Sequence, residues 1–297
     1  MLLLLLHMLA QAAQAAPAFK SSTELSVLHV SVVDRHHGFV SGLPRDAFTV
    51  YEDGRPQAIK FFANNDTPVT VGLVIDSSGS MRTRRDAVIA AGMAFAESSH
   101  PDDEMFTIAF NEHVWRGLPE GQDFTSDHRE LRAALQQSKA RGQTALFDAI
   151  DAGLQQLADG TRTRKVLIVI SDGGDNASRT SFAHVLDTAL RRDVVIYTVG
   201  IYGPYDEDAD PKVLRQLSDA TGGESFFPRT LEQVEPALQR IARDIRSSYT
   251  IGYVPPADGG GERARKIKVT LHAPDGRKLS VRARSSYVSG GESTDER

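Results

Sequence analysis

The 297-residue chain has no cysteine and a single tryptophan. Without thiols there is no disulfide framework, thiolate metal centre, cysteine nucleophile or lipidated N-terminal cysteine. Beyond the first residues there is no long apolar run, so no segment of the mature chain is expected to span a bilayer. A basic footprint is missing too. The 34 Lys and Arg are scattered against 39 Asp and Glu, for a net charge of -5, which argues against a nucleic-acid partner. Neither Gly-x-x-x-x-Gly-Lys nor a dinucleotide fingerprint occurs, so no nucleotide is expected. His-Glu-x-x-His and Gly-x-Ser-x-Gly are likewise absent, which leaves no zinc-protease or serine-hydrolase signature.

Hydrophobic residues make up 40% of the chain, enough for a substantial core. The opening M-L-L-L-L-L-H-M-L-A-Q-A-A-Q-A-A-P-A joins a short leucine core to small residues, with Ala13-Gln14-Ala15 as a cleavage site. Residues 1–16 therefore read as a signal peptide and the protein as exported, periplasmic or extracellular. Its first residues carry no Lys or Arg, which leaves open a misassigned start codon or a short uncleaved apolar tail.

Two textures follow. Residues 22–66 are short strands with turn punctuation, including Asp53-Gly54, a two-residue hairpin signal between Val50-Tyr51 and Ala58-Ile59. Residues 67–248 alternate apolar runs with helical stretches. Strands are expected at 69–75, 104–110, 165–171, 194–201 and 224–227, and helices at 81–99, 128–138, 145–158, 181–192, 211–221 and 231–247. Such alternation implies right-handed crossovers and a Rossmann-like, doubly wound, mostly parallel sheet. Asp210-Pro211 starts one helix and Gly222-Gly223 ends it, while Thr230 and Gln233 form a capping-box pattern. Leu231, Val234, Leu238, Ile241 and Ile245 make one apolar stripe on the last helix. Residues 249–288 return to strands, with a flexible Gly-Gly-Gly-Glu stretch and a hairpin signal at Asp275-Gly276, and 289–297 form a polar, disordered tail. The two outer segments are each too small to bury a face alone, so they are expected to pair as a small β-sandwich around the inserted α/β unit.

The chemistry gathers at strand ends. In V-T-V-G-L-V-I-D-S-S-G-S-M an apolar strand runs into Asp76, Ser78 and Ser80. Thr144 stands in R-G-Q-T-A-L-F-D-A-I, and Asp172 follows the strand of K-V-L-I-V-I-S-D-G-G-D-N. Beyond the carboxyl ends of parallel strands these loops can converge on one point. Carboxylates and hydroxyls suit a hard divalent cation: Mg²⁺ is expected, with Mn²⁺ or Ca²⁺ as alternatives, while zinc and copper gain no advantage. A site with so few charged donors keeps Lewis acidity for an incoming carboxylate, which points to a protein partner supplying a Glu or Asp.

On these residues the segment 69–248 resembles a von Willebrand factor type A domain with a metal-ion-dependent adhesion site. The resemblance matches Asp76-x-Ser78-x-Ser80 to the first motif, Thr144 to the threonine and Asp172 to the second aspartate. It implies a Rossmann-like fold and divalent-dependent, non-enzymatic protein ligation. The outer segments, in V-S-G-L-P-R-D-A-F-T-V-Y-E-D-G-R-P-Q and R-S-S-Y-T-I-G-Y, resemble those of a bacterial "VWFA-related" family. One departure is Gly142-Gln143-Thr144, where the family usually has Gly-Gly-Thr.

Plainer readings compete at each position. Asp76, Ser78 and Ser80 could cap a helix, though capping does not require the distant Thr144 and Asp172. Asp175 and Asn176 read as a polar turn, 206–210 as a solvated loop with one helix cap, and His36-His37 as exposed turn residues. Trp115 reads as edge-strand packing. As functions, a structural scaffold of the cell envelope and a Mg²⁺-dependent hydrolase stand behind the binding module; the hydrolase lacks an evident acid, base or nucleophile.

Overall fold

The computed structural model describes residues 25–36, 38–64, 66–137, 140–203, 206–256, 263–273 and 276–289. The expected signal segment, His37, the glycine-rich stretch at 259–262, Asp275 and tail residues 290–297 lie outside them.

The chain begins with β1 (Ser26–Val33), β2 (Phe48–Glu52), β3 (Arg55–Gln57) and β4 (Ile59–Ala63). Asp53 and Gly54 both have positive φ, 47° and 79°, and reverse β2 into β3 as an Asp-Gly pair should. The returning strand is shorter than its sequence suggests. β3 ends at Gln57, and β4 leaves for another sheet, pairing with β11 (Tyr249–Tyr253). That crossing carries Ile59 into the apolar core.

The α/β unit follows as β5 (Thr70–Asp76), α1 (Arg85–Glu97), β6 (Glu104–Phe110), β7 (Val114–Arg116), α2 (His128–Gln136), α3 (Leu146–Ala158) and β8 (Lys165–Ser171). It continues with α4 (Phe182–Arg191), β9 (Val194–Gly200), α5 (Pro211–Thr221), β10 (Ser225–Phe226) and α6 (Val234–Ser247). The six strands run in the order β10-β9-β8-β5-β6-β7, all parallel except β7, the antiparallel edge that holds Trp115. Buried on both faces, β5 reads as a continuous apolar run. Val71, Leu73 and Ile75 pack with α1 and α6, while Val74 packs with α3 on the other side.

Two helices start later than expected. A 3-10 turn at 79–81 precedes α1, because the residues after Asp76 form the site loop before the helix can begin. Another 3-10 turn, at 231–233, precedes α6. Its tighter pitch takes Leu231 off the buried stripe, leaving it 37% exposed while Val234, Leu238, Ile241 and Ile245 are buried. The capping box does not form: Gln233 Oε1 accepts from the Arg229 backbone N–H at 2.8 Å, and Thr230 makes no side-chain cap. At α5 the signals hold, with Asp210 accepting from the N–H groups of Lys212 and Val213, and Gly222 left-handed at φ 84°.

After α6 come β11, β12 (Arg263–Leu271), β13 (Ser280–Arg282) and β14 (Ser286–Ser289). Two antiparallel sheets result, β13-β1-β11-β4 and β14-β12-β2-β3, each with strands from both outer segments. Leu28, Val30, Phe48, Val50, Ile251 and Ile267 share one core between them, so the outer segments form a β-sandwich. A polar seam joins it to the amino ends of the parallel strands: Arg282 pairs with Asp244 and Glu224, and Arg284 with Asp193.

Candidate metal centre

From β5 the chain moves to one side, into β6 and β7, and then crosses through α3 to β8 on the other. The carboxyl ends of β5 and β8 therefore flank a topological switch point, where α/β folds bind ligands. Asp76 ends β5 and Asp172 follows β8. Two backbone hydrogen bonds fasten the first loop to the threonine loop: Gly79 N–H to Gly142 C=O at 3.1 Å, and Arg141 N–H to Ser77 C=O at 2.8 Å.

The side chains then meet. Ser80 Oγ donates to Asp172 Oδ2 at 2.8 Å and lies 3.1 Å from Ser78 Oγ. Asp172 Oδ1 accepts from the Gly174 N–H at 3.0 Å. Asp76 stands behind this row, its Oδ1 accepting from the Ser78 N–H at 2.8 Å and its Oδ2 from Ser171 Oγ at 2.7 Å. Burial pushes the Asp76 carboxyl up to about 6, against the hydrogen bonds from Ser78 and Ser171 and with the nearby charge of Asp172 adding to the rise. The hydroxyls of Ser78 and Ser80 cap no helix, so the helix-cap reading finds no support.

Ser78, Ser80, Thr144 and Asp172 line one cleft of about 190 Å³. Ser80 is exposed, whereas Asp76, Ser78, Thr144 and Asp172 are buried. Thr144 is only 7% exposed, yet its hydroxyl has no hydrogen-bond partner among the described residues. Among the described residues no group of three His, Cys, Asp or Glu is placed to hold a metal, so a cation in this cleft would need oxygen donors beyond carboxylates. Asp172, two serines and a threonine on the cleft, with Asp76 behind them, are a donor set that fits a hard divalent ion.

Residues 70–243 match the von Willebrand factor type A domain family. The chain belongs to that family. An uncharacterized protein of Synechocystis is 29% identical over 183 residues, 59% of this chain and 41% of its own. The chain thus spans less than half the length of that curated relative. A von Willebrand factor type A protein from Catenulispora acidiphila superposes with a TM-score of 0.55 at 16% identity, over 90% of this chain and 75% of its own. Proximal thread matrix protein 1 from the mussel byssus, solved with a zinc-occupied MIDAS motif, gives a TM-score of 0.51 at 14% identity, over 67% and 50%. At such identities the likeness to the solved structures is one of fold.

In this von Willebrand domain three groups act around the expected residues. Asn176, read from sequence as part of a polar turn, clamps the threonine loop: its Oδ1 accepts from the Thr144 N–H at 2.9 Å, and its own N–H donates to the Thr144 C=O at 3.0 Å. Asp175 does form the turn, accepting from Ser178 Oγ. Glu112 accepts from the Gln143 N–H at 3.0 Å and presses so close to Gly142, at φ 80°, that a Cβ there would lie 1.8 Å from its Oε2. Gly142 was the sequence signal for that contact.

The third group is the acidic loop. Asp210 caps α5 as expected, and residues 206–208, with Glu207 and Asp208 exposed, also line the cleft beside Asp172. Gly173 makes the approach possible: at φ 88° its missing Cβ would lie 2.3 Å from the Asp210 carbonyl oxygen. Arg84 bridges the loops, donating to the Ser80 C=O at 3.0 Å and to Asp206 Oδ2.

Proposed function

We propose that the chain is a non-enzymatic, exported binding module that holds a divalent cation at Asp76, Ser78, Ser80, Thr144 and Asp172 and uses it to ligate a Glu or Asp of a protein partner. The observation that carries this reading is the unpartnered Thr144 hydroxyl on the same cleft as the Ser80–Asp172 pair. When bound, the cation supplies the Lewis acidity that an acidic side chain seeks. The protein's own residues do the rest. Asp172 anchors Ser80, Asp76 orients Ser78 through its backbone N–H, and the exposed position of Ser80 leaves the cleft open to a second molecule.

Family membership supports a binding module, and the zinc in the MIDAS motif of the mussel protein supports a divalent ion in a donor set of this kind. Mg²⁺ is the ion the oxygen-only donors favour, with Mn²⁺ and Ca²⁺ next. Residues 67–248 are the binding unit and 22–66 with 249–288 its platform. Export rests on the N-terminal leucine run followed by small residues, and no described helix is long and apolar enough to cross a membrane. Calorimetric titration of the full chain with Mg²⁺, Mn²⁺, Ca²⁺ and Zn²⁺ tests the reading. Saturable binding that disappears in Asp76→Ala is expected; equal binding by the variant would overturn it.

A further inference from the structure

The cleft has one wall that the binding function does not use. Residues 206–208 contribute Asp206, Glu207 and Asp208 to the lining, beside Ser80, Thr144 and Asp172. This is a built wall. Its backbone sits against Gly173 and Gly174, where a Cβ would lie 2.3 Å from the Asp210 carbonyl oxygen and 2.7 Å from that of Asp208. The Asn176 side-chain amide also reaches Asp208 Oδ2 at 3.5 Å, which ties the wall to the residue that clamps Thr144. The Thr144 side chain, 7% exposed and with no hydrogen bond to its hydroxyl among the described residues, lines the same cleft and marks it as a place for a ligand.

The charges on this wall are not all matched. Arg84 takes up Asp206, which also accepts from the Gly203 N–H at 2.8 Å. Glu207 and Asp208 are exposed, and neither has an ion-pair partner among the described residues. A divalent cation balances Asp76 and Asp172, so these two carboxylates remain as surplus negative charge beside the position a partner's acid must reach. A carboxylate arriving alone meets like charge at close range. One accompanied by a cation meets opposite charge, and interfaces gain both approach rate and selectivity from such complementarity.

We propose that the partner presents its metal-ligating Asp or Glu with a Lys or Arg beside it in sequence or space, and that Glu207 and Asp208 receive that basic side chain. The inference rests on the metal-dependent reading of the cleft. The wall biases the choice among acidic partners: the metal loops supply the demand for a carboxylate, and the 206–208 wall favours one with a neighbouring cation.

The test is a selection from a displayed library of random peptides with one fixed Asp, run on the full chain at saturating Mg²⁺ and in EDTA, with wild type and the Glu207→Gln, Asp208→Asn double variant in parallel. Wild type is expected to enrich Lys and Arg next to the fixed Asp by about fivefold, the effect of one favourable rim ion pair. That bias is expected to vanish in the double variant while Mg²⁺-dependent enrichment of peptides continues. Mg²⁺-dependent peptides without a basic bias, or with the same bias in the double variant, would overturn the inference. Enrichment that is the same in EDTA would instead sink the metal-dependent reading beneath it.

Discussion

Ser171 Oγ donates to Asp76 Oδ2 over 2.7 Å, from the last residue of β8 to the last residue of the adjacent β5. The bond lies wholly inside the protein, with Ser171 at 0% and Asp76 at 3% exposure. Removing the donor leaves a buried carboxylate oxygen unsatisfied, a loss of about 1 to 3 kcal/mol. Ser171→Ala is therefore expected to unfold earlier in urea by about that amount and to bind Mg²⁺ more weakly, because Asp76 then ionises less readily. Equilibrium unfolding and calorimetry on the same preparation measure both.

Metal affinity should fall in acid. The Asp76 carboxyl, raised to about 6 by burial, must lose its proton to serve a cation. Below that pH the affinity is expected to drop by up to about tenfold per unit, since proton and metal compete for one group. The metal-free protein shows the opposite trend from the same residue. Between the ordinary value of 3.8 and about 6 the folded chain holds a proton that the unfolded chain has released. The stability contributed by Asp76 is thus present below this window and lost as pH rises through it. Calorimetric titration with Mg²⁺ at pH 5, 6 and 7 reads the first trend, and urea melts in EDTA at the same values read the second.

Asn176 offers a separation of folding from binding. Its side chain touches the backbone of Thr144 and not the proposed ligand atoms. Residues that orient ligands from behind typically matter by about 10- to 100-fold in metal affinity. Asn176→Ala is expected to lose Mg²⁺ affinity by roughly that factor, with its far-ultraviolet circular dichroism unchanged. Wild-type affinity in the variant would show that the threonine loop holds itself.

At the opposite pole, Asp244 is 1% exposed and accepts hydrogen bonds from Tyr197 Oη at 2.9 Å and from Arg282. Arg282 lies in β13 of the sandwich and Asp244 in α6 of the α/β unit, so the pair spans the seam. Breaking a buried ion pair from one side costs about 3 to 5 kcal/mol. Wild type is expected to melt in one calorimetric transition, and Asp244→Ala to lower the melting temperature by several degrees and split it into two, for the sandwich and for the α/β unit. A variant that still melts in one step would mean that the apolar contacts alone couple them.

Much of this architecture can be read along the chain. Apolar runs of strand length, alternating with helical stripes, announce a parallel sheet because each strand is covered on both faces. Strand ends are legible too: the apolar run of β5 stops at Asp76 and that of β8 at Ser171, where polar side chains of the site loops take over from the apolar core. Helix starts are less legible, since the 3-10 turns at 79–81 and 231–233 depend on how a loop must leave the site or meet the sheet. The destination of β4 was not legible either. Ile59 could have continued the Asp53-Gly54 hairpin, and only pairing with β11, nearly 200 residues later, decides its sheet.

The sequence alone determined the residue types that can meet a hard cation, their order, and their placement at the carboxyl ends of strands, because these follow from local pattern and handedness. Tertiary structure decided what surrounds them. The raised proton affinity of Asp76 comes from burial and the nearby charge of Asp172, the hold on Thr144 comes from Asn176, and the acidic wall comes from a loop brought over Gly173. Desolvation, long-range hydrogen bonds and the facing of charges across a cleft exist only once distant segments are packed together, so no spacing along the chain encodes them by itself.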